Sequence, residues 1–175
     1  LQGDWSSDVC SSDLMGNTLY FQANDGTHGT ELWKSDGTAS GTVLVKDINP
    51  SGDSYPANLV VMGNTLYFQA NDGTQGYELW KSDGTASGTT MIEDINPSGD
   101  SSPEILTTLG NVLYFVADDG TNGRELWKSD GTASGTVLVK DINPSGDAYL
   151  QDWTTVGNIL YFKDRKSTRL NSSHL

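Results

Sequence analysis

The chain holds 175 residues, with 23 acidic against 10 basic side chains, a net charge of −13 and a pI near 4.2. That surplus of carboxylates excludes a binder of phosphate backbones, because nothing in it would release counterions. No apolar run approaches the roughly 18 residues of a membrane span, and five Trp, seven Tyr and four Phe supply packing mass that a disordered chain lacks.

Both ends differ from the interior. Gly3 to Leu14 (GDWSSDVCSSDL) and Asp164 to His174 (DRKSTRLNSSH) share nothing with the sequence between them. They resemble in-frame translations of the oligonucleotide adapters of short-read sequencing libraries, so residues 1–14 and 164–175 are set aside as non-native. Trp5, Cys10, His174 and the sequon at Asn171 go with them. Taking four Asp and three Lys or Arg from the counts leaves 19 acidic and 7 basic residues. No cysteine remains in the interior, which excludes disulfide and thiol chemistry there. The natural segment, residues 15–163, is expected to be a piece of a longer protein.

A period of 47 residues organises that segment. GN-x-LYF recurs at Gly16, Gly63, Gly110 and Gly157; ELWKSDGTASGT at Glu31, Glu78 and Glu125; DINPSGD at Asp47, Asp94 and Asp141. Residues 16–62 and 63–109 differ at 12 of 47 positions and match at the other 35. The units are residues 15–62, 63–109 and 110–156, with 157–163 opening a fourth.

In chain order, Leu19–Ala23 is an aromatic strand that ends at the turn of Asn24, Asp25 and Gly26. Glu31–Ser35 ends at Asp36-Gly37, Thr42–Lys46 ends at Asn49-Pro50, and Asn58–Val61 follows Pro56. No stretch sustains helical periodicity. Each unit therefore predicts four short antiparallel strands, with bulk on both faces of Leu19-Tyr20-Phe21. WD40 units run about 40–45 residues and kelch units about 50, so the fold class is all-β, a fragment of a β-propeller with about three blades plus the start of a fourth. Trp33, Trp80 and Trp127 are read as packing anchors between blades. Propellers close with about 4 to 8 blades, so three blades alone expose sheet faces and edges and are expected to aggregate or fold poorly.

Glu31-Leu-Trp-Lys-Ser-Asp-Gly-Thr38 and its copies at Glu78 and Glu125 resemble, at every fixed position, the signature of the bacterial ELWxxDGT-repeat family. The resemblance covers the whole interior. It implies a large secreted or surface-exposed propeller-type protein, often joined to sorting or anchoring domains, and it brings no catalytic residue set. Extracellular or cell-surface localisation is expected from the resemblance together with the composition.

Strand parity puts the loop 24–29 and the crossing 48–56 at one end, the end where propeller ligands sit. Variation between units gathers there: His28, Gln75 and Asn122 at one position; Thr30, Tyr77 and Arg124 at another; and Tyr55 and Tyr149 in the crossing. SDGTASG, at the opposite end, is invariant. A fixed scaffold with one varied rim is the pattern of a binding surface, and drift on exposed loops gives the same pattern. Calcium is the one candidate cofactor. Asp47, Asn49, Ser51 and Asp53, with Asp94, Asn96, Ser98, Asp100 and Asp141, Asn143, Ser145, Asp147, place oxygen ligands as a D-x-N-x-S-G loop does. Against it stand Pro50 and the missing Glu near the twelfth position, where Leu59, Leu106 and Trp153 occur. The plain reading is a polar crossover loop.

No catalytic set is visible. His28 is the interior's single histidine, and nearly every acid has a copy in each unit, which points to structure. Ser35-Asp-Gly-Thr38 departs from the S-x-D-x-G-x-T-W box of sialidase-type propellers. The expectation is a non-catalytic adhesion or recognition scaffold whose partners are a glycan, a polymer or a surface protein, together with other blades of its own chain; nucleic acid and membrane insertion are excluded. The alternatives are a fragment of a propeller enzyme of glycosidase, lyase or lactonase type with its active residues on other blades, and a purely structural array.

Overall fold

A computed structural model describes residues 12–164 and 170–174, so most of the adapter-like segments, Trp5 and Cys10 included, lie outside the described residues. Four strands form sheet A: β1 (Ser12–Met15), β2 (Thr18–Asn24), β3 (Thr30–Ser35) and β4 (Val43–Lys46). Sheet B holds β5 (Ala57–Met62), β6 (Thr65–Asn71), β7 (Tyr77–Ser82) and β8 (Thr90–Glu93). Sheet C holds β9 (Glu104–Leu109), β10 (Val112–Asp118), β11 (Arg124–Ser129) and β12 (Val137–Lys140). Sheet D holds β13 (Leu150–Val156), β14 (Ile159–Asp164) and β15 (Leu170–His174). Every pairing is antiparallel between consecutive strands, and the described residues contain no helix. The predicted strands fall inside β2 to β5 except for Thr42, which lies one residue before β4. Residues 12–14 and 170–174, from the adapter-like ends, pair as the outer strands β1 and β15.

The register repeats with the sequence. Phe21 faces Trp33, Phe68 faces Trp80 and Phe115 faces Trp127 across the second and third strands of each sheet. A bulge recurs between the third and fourth strands, at Leu32/Trp33, Leu79/Trp80 and Leu126/Trp127, and it turns the chain out of the ladder toward the crossing loop.

The core lies between sheets. Tyr20, Leu32, Val45 and Ile48 from the first repeat pack against Leu59, Leu66, Phe68 and Trp80 of sheet B. Tyr67, Leu79 and Ile95 pack in the same way against Leu113, Phe115 and Ala117 of sheet C, with Trp127 beside them. Tyr114 and Leu126 then meet Leu160 and Phe162 of sheet D. Bulk on both faces of the LYF strand is thus explained: leucine and phenylalanine face the preceding sheet, tyrosine the following one. Burying a side chain of this size stabilises by about 1.5–3 kcal/mol, so each interface depends on a handful of repeated residues. The first strands also neighbour one another, β5 lying beside both β1 and β9.

Candidate functional site

The crossing loops are organised from within the protein by the glutamate that opens each ELW strand. Glu31, Glu78 and Glu125 are each 0% exposed. The Glu31 carboxylate accepts from the N–H groups of Ile48 (2.8 Å) and Ser54 (3.1 Å) and from the Ser54 hydroxyl (2.6 Å). Glu78 repeats the set with Ile95 and Ser101, and Glu125 takes Ile142 and Asn143. A buried charge with several donors is tolerated where a bare one is not. Burial nevertheless pushes all three carboxyls above their ordinary range, against the lowering effect of those hydrogen bonds. Nothing in the sequence pattern separates this role from the ordinary polar repeat of an exposed strand.

The oxygens read as candidate calcium ligands are largely engaged inside the loop. Asp53 accepts from the Thr30 N–H at 2.6 Å, Asp100 from Tyr77 N–H at 2.8 Å and Asp147 from Arg124 N–H at 3.0 Å. The Asn49 amide donates to the Asp53 carbonyl at 3.0 Å while its oxygen takes the Ser51 N–H at 3.1 Å; Asn96 makes the same two bonds with Asp100 and Ser98. Asn143 donates to the Asp147 carbonyl, and Ser145 lies in that third copy of the loop. Asp47, Asp94 and Asp141 each keep one buried oxygen without a hydrogen bond. Among the described residues no group of three or more His, Cys, Asp or Glu side chains converges to hold a metal ion.

Parity is visible in space: the Ser54 N–H donates to the Thr30 carbonyl (3.0 Å) and Ser102 N–H to the Tyr77 carbonyl (2.9 Å), so the two loop families share one end. Of the varied rim positions, two have side chains that fix their own turn and a third bonds across to the crossing. His28 Nδ1 lies 2.8 Å from Asp25, Asn122 donates to Asp119 at 2.7 Å and Gln75 to Asp94 at 3.2 Å. Asp25, bonded by the His28 and Thr27 N–H groups and the His28 ring, falls to about 2, while that same pairing raises the His28 pKa. Tyr55 and Tyr149 each stand 48% exposed.

Tyr77, Arg124 and Tyr149 line two clefts. The first, of about 360 Å³, runs between sheets B and C and is lined by Asn58, Gln69, Tyr77, Ser102, Glu104 and Arg124. The second, of about 490 Å³, lies between sheets C and D, with Val116, Arg124, Tyr149, Gln151, Asp152 and Trp153 on its walls. They are one cleft displaced by a repeat. Gln69 becomes Val116, Tyr77 becomes Arg124, Ser102 becomes Tyr149 and Glu104 becomes Gln151, each 47 residues on. Arg124 is shared: its guanidinium donates to the Ser102 carbonyl at 3.1 Å and to Glu104 at 3.3 Å. Burial raises the Tyr77 hydroxyl pKa, and the Asp100 and Asp53 carboxylates add to it.

Sequence reasoning missed Asn58, Gln69, Glu104 and Trp153 as wall residues because they lie in strands. A backbone signal accompanies them. Tyr55, Asn58, Ser102 and Asp152 have φ of 46°, 56°, 45° and 55°, left-handed values that branched and bulky residues avoid. Such strain collects where a side chain must be aimed.

No protein-family model and no curated protein sequence matches the chain. Solved structures do. One of two prolyl endopeptidases studied for inter-domain dynamics in catalysis and specificity aligns with a TM-score of 0.51 at 12% identity, over 93% of this chain and 25% of that one. The AtxE2 isopeptidase aligns at TM-score 0.48 and 14% identity, over 90% and 25%. Prolyl oligopeptidase B from Galerina marginata gives 0.43 and 13%, also over 90% and 25%. The chain spans about a quarter of the length of the structures it matches. At that identity the first likeness speaks to fold alone, and with the stacked four-stranded sheets it establishes an all-β, β-propeller-like arrangement.

Proposed function

We propose that the protein is a non-catalytic recognition scaffold of secreted or surface-exposed type, whose rim clefts take an uncharged, hydroxyl-rich ligand such as a neutral glycan. One observation carries the reading: the two clefts share a backbone frame and differ in the side chains that line them. Their chemistry suits sugars. Tyr77, Tyr149 and Trp153 offer aromatic faces, while Asn58, Gln69 and Gln151 offer amides. Arg124 is already matched by Glu104, and Asp53, Asp100 and Asp147 surround the rim, which disfavours an acidic ligand. The ELWKSDGT resemblance supports the surface-exposed setting.

The test is a glycan array probed with the whole protein, wild type beside Tyr77→Ala/Tyr149→Ala. Binding to neutral glycans that the double variant loses is expected. No ligand at all, or a preference for anionic glycans, overturns the reading. A larger enzyme that uses this segment as a non-catalytic module is the second reading. The fold match to a peptidase four times as long favours it, and the clefts would then face a catalytic domain.

A further inference from the structure

Two charged residues at the rim have no charged counterpart in the other repeats, and they touch each other. Glu104 stands where the neighbouring repeats have Ala57 and Gln151, and Arg124 where they have Thr30 and Tyr77. The Arg124 guanidinium donates to Glu104 at 3.3 Å and to the Ser102 carbonyl at 3.1 Å, while the Glu104 side chain stays 65% exposed. An ion pair this open to water contributes little to stability. Stability therefore does not account for the joint appearance of the two charges.

Their position does. Glu104 and Arg124 line both clefts, the first with Tyr77 and the second with Tyr149. The pair is thus the partition between the clefts, and it is a partition open to solvent rather than packed core. Facing sheets stand about 10 Å apart, so equivalent points of the two clefts repeat on that scale, within reach of one short linear chain. The walls are fixed by the protein's own bonds: besides those of Arg124, the Asn58 amide donates to the Pro103 carbonyl at 3.1 Å, joining sheet B to the segment that leads into sheet C. A groove that needs no rearrangement loses little on ordering. The two halves also differ in chemistry. Gln69 and Tyr77 in the first are replaced by Val116 and Arg124 in the second, where Trp153 adds an aromatic face. Two copies of one short ligand would not meet the same surface twice.

Resting on the neutral-glycan reading, we infer that the two clefts are subsites of one groove for a single linear oligosaccharide, which crosses the Glu104–Arg124 pair. At the crossing, guanidinium donors and carboxylate acceptors stand side by side, a set that bonds neighbouring sugar hydroxyls and carries no net charge.

Calorimetric titration of the whole protein with cello-, xylo- and manno-oligosaccharides of one to six units tests this. In a series that binds, the six-unit chain should bind about 100-fold tighter than the two-unit one, the gain of joining a second subsite to a first. One six-unit chain should bind per protein. Tyr77→Ala and Tyr149→Ala, one in each cleft, should each remove most of that gain; the ratio of the two affinities within a variant does not depend on how much of it is folded. Equal affinity for two and six units, two six-unit chains per protein, or a gain that either variant keeps overturns the single groove and leaves the neutral-glycan reading standing. No binding in any series overturns the groove, and an array without neutral-glycan binding overturns the reading beneath it.

Discussion

Lys34 and Gly84, 50 residues apart in sequence, are joined by a 2.7 Å hydrogen bond from the lysine ammonium to the glycine carbonyl, and Lys81 and Gly131 repeat it. The bond crosses between sheets and, with the Tyr20 hydroxyl packed on Gly84, ties the SDGTASG turn of the second repeat to the neighbouring sheet.

Glycine substitutions separate this contact from simple backbone strain. Gly84 and Gly37 have φ of 87° and 89°, so Ala at either position is strained by about 1–2 kcal/mol. Only at Gly84 would the added methyl meet the Tyr20 hydroxyl. Gly84→Ala should therefore destabilise by about 2–4 kcal/mol in urea titrations, and Gly37→Ala by the strain alone. Equal losses would remove the inter-sheet role. Lys34→Met should lose about 1–2 kcal/mol by abandoning a buried carbonyl.

A charge reversal in the second repeat gives a stabilising prediction. Lys46 donates to the Thr89 carbonyl at 2.7 Å and stands 5.7 Å from the centre of the Trp80 ring. The equivalent residue in sheet B is Glu93, whose Oε2 is buried without a hydrogen bond, with the carboxyl pushed up by burial. An acceptor occupies the place of a donor. Glu93→Lys should restore contacts to the Thr136 carbonyl and Trp127 and raise stability by about 1 kcal/mol. If Glu93→Met gains as much, removal of the carboxylate is the whole effect.

The buried glutamates give a third test. Replacing Glu78 by Gln keeps the size but turns one acceptor into an N–H₂ group facing the Ile95 and Ser101 donors, a loss of about 1–3 kcal/mol. The same loops should melt at one temperature in calcium and in EDTA, since Asp100 and Asn96 are engaged by protein groups. A calcium-dependent rise in Tm would support the cation reading.

Strands and their order were legible because LYF, ELW and TVLV alternate between Gly and Asn-Pro breakers at a strict period. The inter-sheet core was legible too, since Tyr20 beside Leu19 and Phe21 demands two covered faces. Glu31 was not: an acid in a strand reads as solvent-facing unless its donors, here 17 to 23 residues away, are known. The rim was half legible. Tyr77, Arg124 and Tyr149 stood out as varied residues in or beside the loops, whereas the side chains of His28 and Asn122 finish turns anchored by Asp25 and Asp119 and that of Gln75 reaches Asp94 in the crossing. Asn58, Glu104 and Trp153 belong to strands whose pairing is broken by register shifts at Ala57/Val60, Tyr114/Phe115 and Gln151/Thr154 respectively.

Acid titration should show a stability maximum at moderately low pH. Glu31, Glu78, Glu125 and Glu93 have folded pKa values above the ordinary 4.5, chiefly through burial. The folded state therefore holds those protons more tightly, and the stability this contributes is present below 4.5 and lost as pH rises through the raised values. Asp25, Asp36, Asp53, Asp83 and Asp130 have the opposite shift from the ordinary 3.8, Asp25 to about 2. Their causes are N–H and threonine hydroxyl donors, and their contribution is present above 3.8 and lost as pH falls below it. The urea midpoint should thus peak at about pH 4 to 5, decline toward neutrality and collapse toward pH 2. Glu78→Gln should flatten the decline between the peak and neutrality without altering the acid limb. A midpoint that climbs steadily from pH 4 to 8 would show that the buried glutamates are not held above their ordinary range.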